Sequence, residues 1–518
     1  MGPRSRPSGA QGIAEEMESY RSVGVAPVAP ELAPVALVDA APAPAPPVVR
    51  AAGTGRRALS LDALRGFFLL EMTLGFTIWE KTFPAWMYHR QFPPPTHELL
   101  EIAGLTWRDL AYPAFLFTMA AALPLTLGLR IERGARARGL LLGALERGLL
   151  LFFFALLIGH SSGYWIGEYT QTSQLLSLLG FALMFPLFTR RRGDWDPRLF
   201  AGLQRLGWVA AAAFLAFTPG LYGRTFSLAR RDDIIAQLAF ASVAGSLLWY
   251  ATRRDLLARL AVLAGVVALS LAALAEGWVQ TLWWGSPAPW LFEVSSLKLL
   301  AVVIPGTIAG DLLVAWRKAP EEAPPPEARW SGARLRLLAC LGIAFTPLLV
   351  VGLTQRRVVE TTLLAMGLCA GGLALVRRPA SAAERAARGL YLWSAFWLVL
   401  GLTLEPFEGG IKKVPGTLSY YFALSGNTGM LLVALIAGLD LRAKPPRWAR
   451  LLIDVGQNPM LCYVTFTLLL NPALDLIPPL GALLTGSPAE LLLRSLLSVA
   501  LVAVLVQQLT RRRIFWRT

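Results

Sequence analysis

The sequence predicts an all-α protein, a polytopic transmembrane helical bundle of about 11–14 spans. Three observations carry this prediction. Of the 518 residues, 55% are hydrophobic and only 16% charged, and the mean hydropathy of +0.52 exceeds that of most soluble proteins. The charges cluster between apolar runs of about 20 residues, the length a bilayer core demands of a helix. The runs do not alternate apolar and polar residues as barrel strands would, and a helix satisfies its backbone polar groups within one segment.

Residues 1–56 are rich in Ala, Pro and Val, and no long apolar run follows a basic start. A disordered tail is expected there rather than a signal peptide. Residues 57–518 read as one multi-span domain. Its candidate spans fall at about 63–79, 110–129, 141–159, 174–189, 206–222, 234–251 and 258–275. They continue at about 297–316, 335–354, 358–376, 389–404, 418–439, 451–470 and 489–509. With the N-terminus inside, inner loops carry Arg130/Arg133/Arg136/Arg138, Arg190–Arg192, Arg253/Arg254, Arg317/Lys318, Arg377/Arg378 and Arg442/Lys444/Arg447/Arg450. Both termini are therefore expected on the cytoplasmic side. The alternation is weakest at Arg230/Arg231, Arg356/Arg357 and Lys412/Lys413, which this count places outside. The segment 317–334, with Glu321, Glu322 and Pro324–Pro326, reads as a connector between two halves.

The net charge of +16 sits at segment ends, where it sets topology, so no nucleic-acid partner is expected. Cys340, Cys369 and Cys462 lie in apolar runs without metal or redox spacing, so neither a disulfide framework nor a metal site is indicated.

Residues able to carry chemistry are few. The three histidines, His89, His97 and His160, all fall on the expected outer side, each a general base or a solvated loop histidine. Glu71 lies near the middle of the first span, Asp109 opens the second, Glu146 adjoins Arg147, and Asp311 lies late in the eighth. Such residues mark function or a structural ion pair. Lys412 and Lys413 could hold an anionic group at the membrane face. Gly456-Gln-Asn-Pro-Met460 breaks an apolar stretch, and broken helices at membrane depth line cavities. Trp283, Trp284 and Trp290 form an interfacial belt or a stacking surface.

Several of these segments resemble the bacterial relatives of heparan-α-glucosaminide N-acetyltransferase. They are Leu59-Ser-Leu-Asp-Ala-Leu-Arg-Gly-Phe67, Gly104-Leu-Thr-Trp-Arg-Asp-Leu-Ala-Tyr-Pro-Ala-Phe-Leu-Phe117, Ile304–Gly310, Lys412–Tyr421 and Gly456–Met460. The resemblance implies a multi-span acyltransferase of a bacterial inner membrane. It would move an acetyl group from cytoplasmic acetyl-CoA to an amino sugar or other cell-envelope saccharide at the outer face. It implies His97 as catalytic base with Asp109 beside it, and Asp62 and Arg65 toward the CoA. The family's His-x-x-Trp-x-Gly pattern is altered, because His97 stands seven residues before Gly104 with no Trp between. Glu71, Lys412, Lys413 and Asn458 are then candidate substrate contacts, and membrane lipid and a second copy of the chain are expected partners. A transporter or flippase, or a non-catalytic scaffold, are the alternatives. No internal repeat of the kind many transporters show is evident.

Overall fold

Many of the helices start at a side-chain cap, such as Asp232, Asp255, Ser331 and Thr417. The computed structural model describes residues 58–518, apart from 79–82, 168, 290, 321–324 and 443–445. The segment 1–56, Trp290, Glu321, Glu322, Pro324 and Lys444 lie outside the described residues. The principal helices are α1 (Leu59–Thr77), α2 (Ala111–Glu132), α3 (Ala137–Ser161), α4 (Gln171–Phe188) and α5 (Pro197–Phe217). Next come α6 (Asp233–Thr252), α7 (Leu256–Ala272), α8 (Leu300–Lys318), α9 (Gly332–Thr354) and α10 (Val358–Leu375). The last are α11 (Ala382–Leu404), α12 (Leu418–Leu435), α13 (Ala449–Gly456), α14 (Pro459–Val464) and α15 (Pro488–Arg511).

The fold is all-α, and eleven helices among the described residues are long and apolar enough to cross a membrane. The protein is an integral membrane protein of many spans. Three further segments occupy the remaining expected spans. These are α1, which carries Asp62, Arg65 and Glu71, the 17-residue α7, and the broken pair α13–α14. The largest boundary shift is at α5, which starts at 197 rather than about 206. Asp196 caps Arg198 N and Leu199 N there, and Pro197 sits where a helix lacks a partner for its N–H. Helix α11 likewise starts early, at the Ser381–Glu384 capping box.

α8 and α12 are the most buried spans, packed with α2 and α11 at the centre. Leu149, Val209, Leu257, Val359, Leu363 and Leu501 are exposed on the outside, the surface a lipid chain would cover. Helices α1 and α13 cross almost in backbone contact: a Cβ at Gly66 would lie 1.9 Å from Leu452 O, and one at Gly456 1.8 Å from Asp62 O. Small residues permit such crossings where no hydrophobic force separates helix from lipid.

Because the spans alternate in direction, Arg130, Arg190–Arg192, Arg253/Arg254, Arg317/Lys318, Arg377/Arg378 and Arg511–Arg513 gather at one end, here the basic end. The opposite, histidine end is where α1 finishes and α2 begins. Two of the three basic exceptions have internal partners there. Arg356 reaches the buried Glu405 at 2.5 Å, and Lys413 faces His89. Arg231 lies over the Phe152 ring at 6.0 Å. At the basic end the chain closes with a strap. Arg190 N donates to Phe515 O and Arg517 N to Phe188 O, both at 2.8 Å. Between them Trp516 is fully buried against Phe154, Phe181, Phe185 and Phe188.

Candidate functional site

Ile78 and the loop residues Phe83, Met87 and Tyr88 form a small apolar cluster against Leu74, Trp107 and Leu491. This cluster holds the loop over the end of α1 and α2 and so places His89. Gly104 lets the loop re-enter the bundle. Its φ of +122° suits glycine, its N–H donates to Ile411 O at 2.9 Å, and an added Cβ would sit 3.0 Å from Leu353 O.

Asp109 lies in the turn that starts the second span and is 1% exposed. Its Oδ2 accepts from Thr106 N at 2.9 Å and Arg90 N at 3.2 Å. Its Oδ1 lies 2.8 Å from His89 Nδ1. The ionised carboxylate only accepts, so Nδ1 carries the proton and Nε2 keeps its lone pair. The Thr106 hydroxyl donates to Tyr88 O at 2.6 Å, and Tyr420 donates to the Asp109 backbone carbonyl at 2.7 Å. The carboxylate is thus locked between the loop and α12.

Lys413 approaches the same imidazole from the loop before α12. Its Nζ is 3.2 Å from Nδ1 and 3.3 Å from Nε2, so the ammonium sits beside the ring rather than on one lone pair. Gln91 Oε1 accepts from Lys413 N and Val414 N, both at 3.1 Å, and ties the two loops together. Burial, reinforced by the Lys413 charge, pushes His89 down to about 4 against the pull of Asp109. Burial also pushes the Lys413 ammonium down to about 8, opposed by Asp109. Near neutral pH the site therefore presents a neutral imidazole next to a largely protonated lysine. Glu71 completes the cluster from α1, with Arg108, Lys413 and Asp109 as its charged neighbours. Both its oxygens are buried and make no hydrogen bond. Arg108 lies across Gly75, one turn beyond Glu71, its Nε 3.1 Å from where a Cβ would be.

Residues 57–313 match the family described as Domain of unknown function (DUF5009). The DUF5009 match contains Glu71, His89, Arg108 and Asp109, and ends before Lys413 and Tyr420. No curated protein matches the chain.

The structure brings Glu71, Asp109 and Lys413 together and places His89, not His97, on the Asp109 carboxylate. His97 lies in the same loop with a φ of +54°; its Nδ1 is 3.2 Å from Phe92 O and its ring 4.9 Å from that of Tyr88. Lys412 folds over its own turn, where its N–H donates to Thr417 Oγ1 at 3.1 Å. Asp62, Arg65 and Asn458 belong to the other half of the molecule. Arg65 donates to Gly456 O at 3.3 Å and Thr118 O at 3.2 Å and pairs with Asp62 at 3.5 Å. Asn458 is fully buried, donates to Ile514 O at 2.8 Å and accepts from Trp516 N at 3.1 Å, so its amide holds the strap.

His160 is buried, with Nδ1 3.0 Å from Leu156 O and its ring stacked on Phe226. Asp311 pairs with the buried Arg259 at 2.6 Å and accepts from Trp249 Nε1 at 2.9 Å, joining α6, α7 and α8. Trp283 is buried and Trp284 half-exposed; Lys298 lies 5.8 and 5.6 Å from their ring centroids and donates to Gly416 O at 3.3 Å. The tryptophan segment therefore leans on the loop that carries Lys413.

Proposed function

We propose that this protein is a transmembrane acyltransferase. It takes an acetyl or other acyl group from an acyl-CoA at the basic, cytoplasmic end and gives it to an amino sugar or other cell-envelope saccharide at the histidine end. The observation that carries the reading is the His89–Asp109–Lys413 arrangement. A neutral imidazole is fixed in one tautomer by a buried carboxylate, and a cation stands beside it.

Each group has a chemical task. Asp109 orients the imidazole and stabilises its protonated form. His89 Nε2 takes the proton from the acceptor's amine or hydroxyl as that nitrogen or oxygen attacks the thioester carbonyl. Lys413 offers positive charge to the oxyanion that forms. The C–S bond then breaks, the imidazolium returns its proton to the departing thiolate, and the products are the acylated acceptor and free CoA. Glu71 and Arg108, beside this cluster, are available to hold the acceptor's polar groups. Arginines of the basic end other than Arg130 suit the phosphates of the donor, whose pantetheine arm would carry the thioester through the bundle toward His89.

The test follows labelled acetyl-CoA and released CoA in the purified protein, with glucosamine as acceptor, for wild type, His89→Ala and His97→Ala. Turnover reduced by roughly a hundredfold or more in His89→Ala, with donor binding retained, supports the reading. Absence of turnover in wild type, or full activity in His89→Ala, overturns it. Loss confined to His97→Ala moves the base to that residue.

A further inference from the structure

A second polar feature lies at the basic end, far from His89. A cavity of about 260 Å³ opens between α2, α3 and α6. Its polar lining comprises Thr126, Arg130, Glu146, Arg147, Ser246 and Thr518. Arg147 is the eleventh residue of α3, about 15 Å along the helix at 1.5 Å per residue. An arginine at that depth is costly unless an opposite charge meets it. Among the described residues Arg147 makes no ion pair, neither with Glu146 nor with Thr518, and the charge that acts on it is that of another cation, Arg65. Arg130 adds a second guanidinium, leaning over Gly143 with its Nη1 2.9 Å from where a Cβ would be. Thr126 and Ser246 give their hydroxyl protons to backbone carbonyls of their own helices. The charged donors facing the cavity are those of the two arginines.

We propose that this cavity binds a phosphate-bearing group of headgroup size, held by Arg147 and Arg130. Guanidinium groups match phosphate oxygens in pairs, and two of them suit an anion with several oxygens. The volume sets the scale of the part the cavity can enclose. It exceeds the ~30 Å³ share of one water several times over but falls below the roughly 300–1,000 Å³ of pockets that enclose drug-sized ligands. One phosphate with a few attached carbons fits within it, and a larger molecule would extend beyond it. Leu123 and Leu127 beside the arginines favour an anion joined to an apolar portion. The same chemistry comes from an anionic lipid headgroup or from a soluble phosphate compound. The proposal stands apart from acyl transfer and from His89.

The experiment uses the full chain in nanodiscs of zwitterionic phosphatidylcholine. One arm adds phosphatidylglycerol, the other inorganic pyrophosphate, and affinity is read from the shift in thermal unfolding and from ligand retained in native mass spectrometry. The variants are Arg147→Gln, Arg147→Lys and the exposed control Arg138→Gln, which makes the same charge change. Binding in either arm, weakened about tenfold or more by Arg147→Gln, as expected for a lost charged hydrogen bond, supports the site. Arg147→Lys should retain part of the binding and Arg138→Gln nearly all of it. Response to lipid alone names a headgroup, and response to pyrophosphate alone names a soluble phosphate. No binding in either arm, or equal binding in Arg147→Gln and wild type, overturns the proposal. Unchanged folding of Arg147→Lys guards against loss through misfolding.

Discussion

Replacing Asp109 with asparagine exchanges one oxygen for an NH₂ group at the hub of the histidine-end cluster. Two backbone N–H groups, from Thr106 and Arg90, point at Oδ2, so the amide must keep its carbonyl there. Its NH₂ then faces His89 Nδ1, which sits 2.8 Å from Oδ1 in the native protein. Two donors cannot face each other, and the imidazole moves its proton to Nε2. A charge-assisted hydrogen bond worth about 1.5–3 kcal/mol becomes a neutral one worth about 0.5–1.5 kcal/mol, and the two backbone bonds weaken on the same scale. The expected loss of stability is about 3–4.5 kcal/mol in total, less than the roughly 5–15 kcal/mol by which folded proteins are stable, so the variant folds. Turnover should fall much further, by roughly 10²–10⁴-fold, because the lone pair that would take the acceptor's proton has gone. Thermal unfolding measures the first effect, acetyl-CoA turnover the second, and nitrogen NMR of His89 reports the tautomer. A variant with native turnover and a tautomer switched as described would refute the assignment of His89 as base.

Other substitutions test separate parts of the argument. Lys413→Met removes a charge that holds the His89 pKa down, so the imidazole should titrate above its native value of about 4, as followed by NMR. The depressed His89 pKa also fixes a pH dependence. Between about 4 and the ordinary 6.5 the unfolded chain binds the extra proton, so this group's contribution to stability is complete above 6.5 and declines as pH falls toward 4; unfolding temperature against pH should show this, and the slope should lessen in Lys413→Met. Gly456→Val would drive side-chain atoms into the Asp62 carbonyl and should destabilise by about 1–3 kcal/mol or more, read as a lower unfolding midpoint. Arg356→Gln leaves Glu405 buried without its cation, at a cost of about 3–5 kcal/mol, whereas Arg357→Gln, which leaves that pair intact, should cost far less.

Sequence patterns reveal the spans because bilayer length and apolar composition are properties of contiguous residues. They also reveal the basic end, since the arginines sit at helix termini. Where spans shift, as at Asp196–Pro197 or Ser381–Glu384, the capping residues were present to be read. The pairing of His89 with Asp109 was not legible in the same way. The two are 20 residues apart across an irregular loop, and no contiguous pattern says which histidine reaches the carboxylate. Lys413 comes from more than 300 residues further along, and nothing periodic links it to His89. Arg65 and Asn458 show a second limit. Their polarity within apolar runs is plain in the sequence, but not that Arg65 donates to carbonyls of a broken helix and a neighbouring span, nor that Asn458 grips the strap.

The strap also fixes an order of events. The four phenylalanines that surround Trp516 belong to residues 154–188, synthesised about 330 residues before their partner. At about 5–20 residues per second, the aromatic cleft stands open for roughly 16–66 s while later spans enter the membrane. A chain stopped short of residue 514 would hold every principal helix and still lack the latch between the end of α4 and the break at Asn458. Closure of the cleft thus reports that α15 has arrived, because Trp516 follows α15 directly.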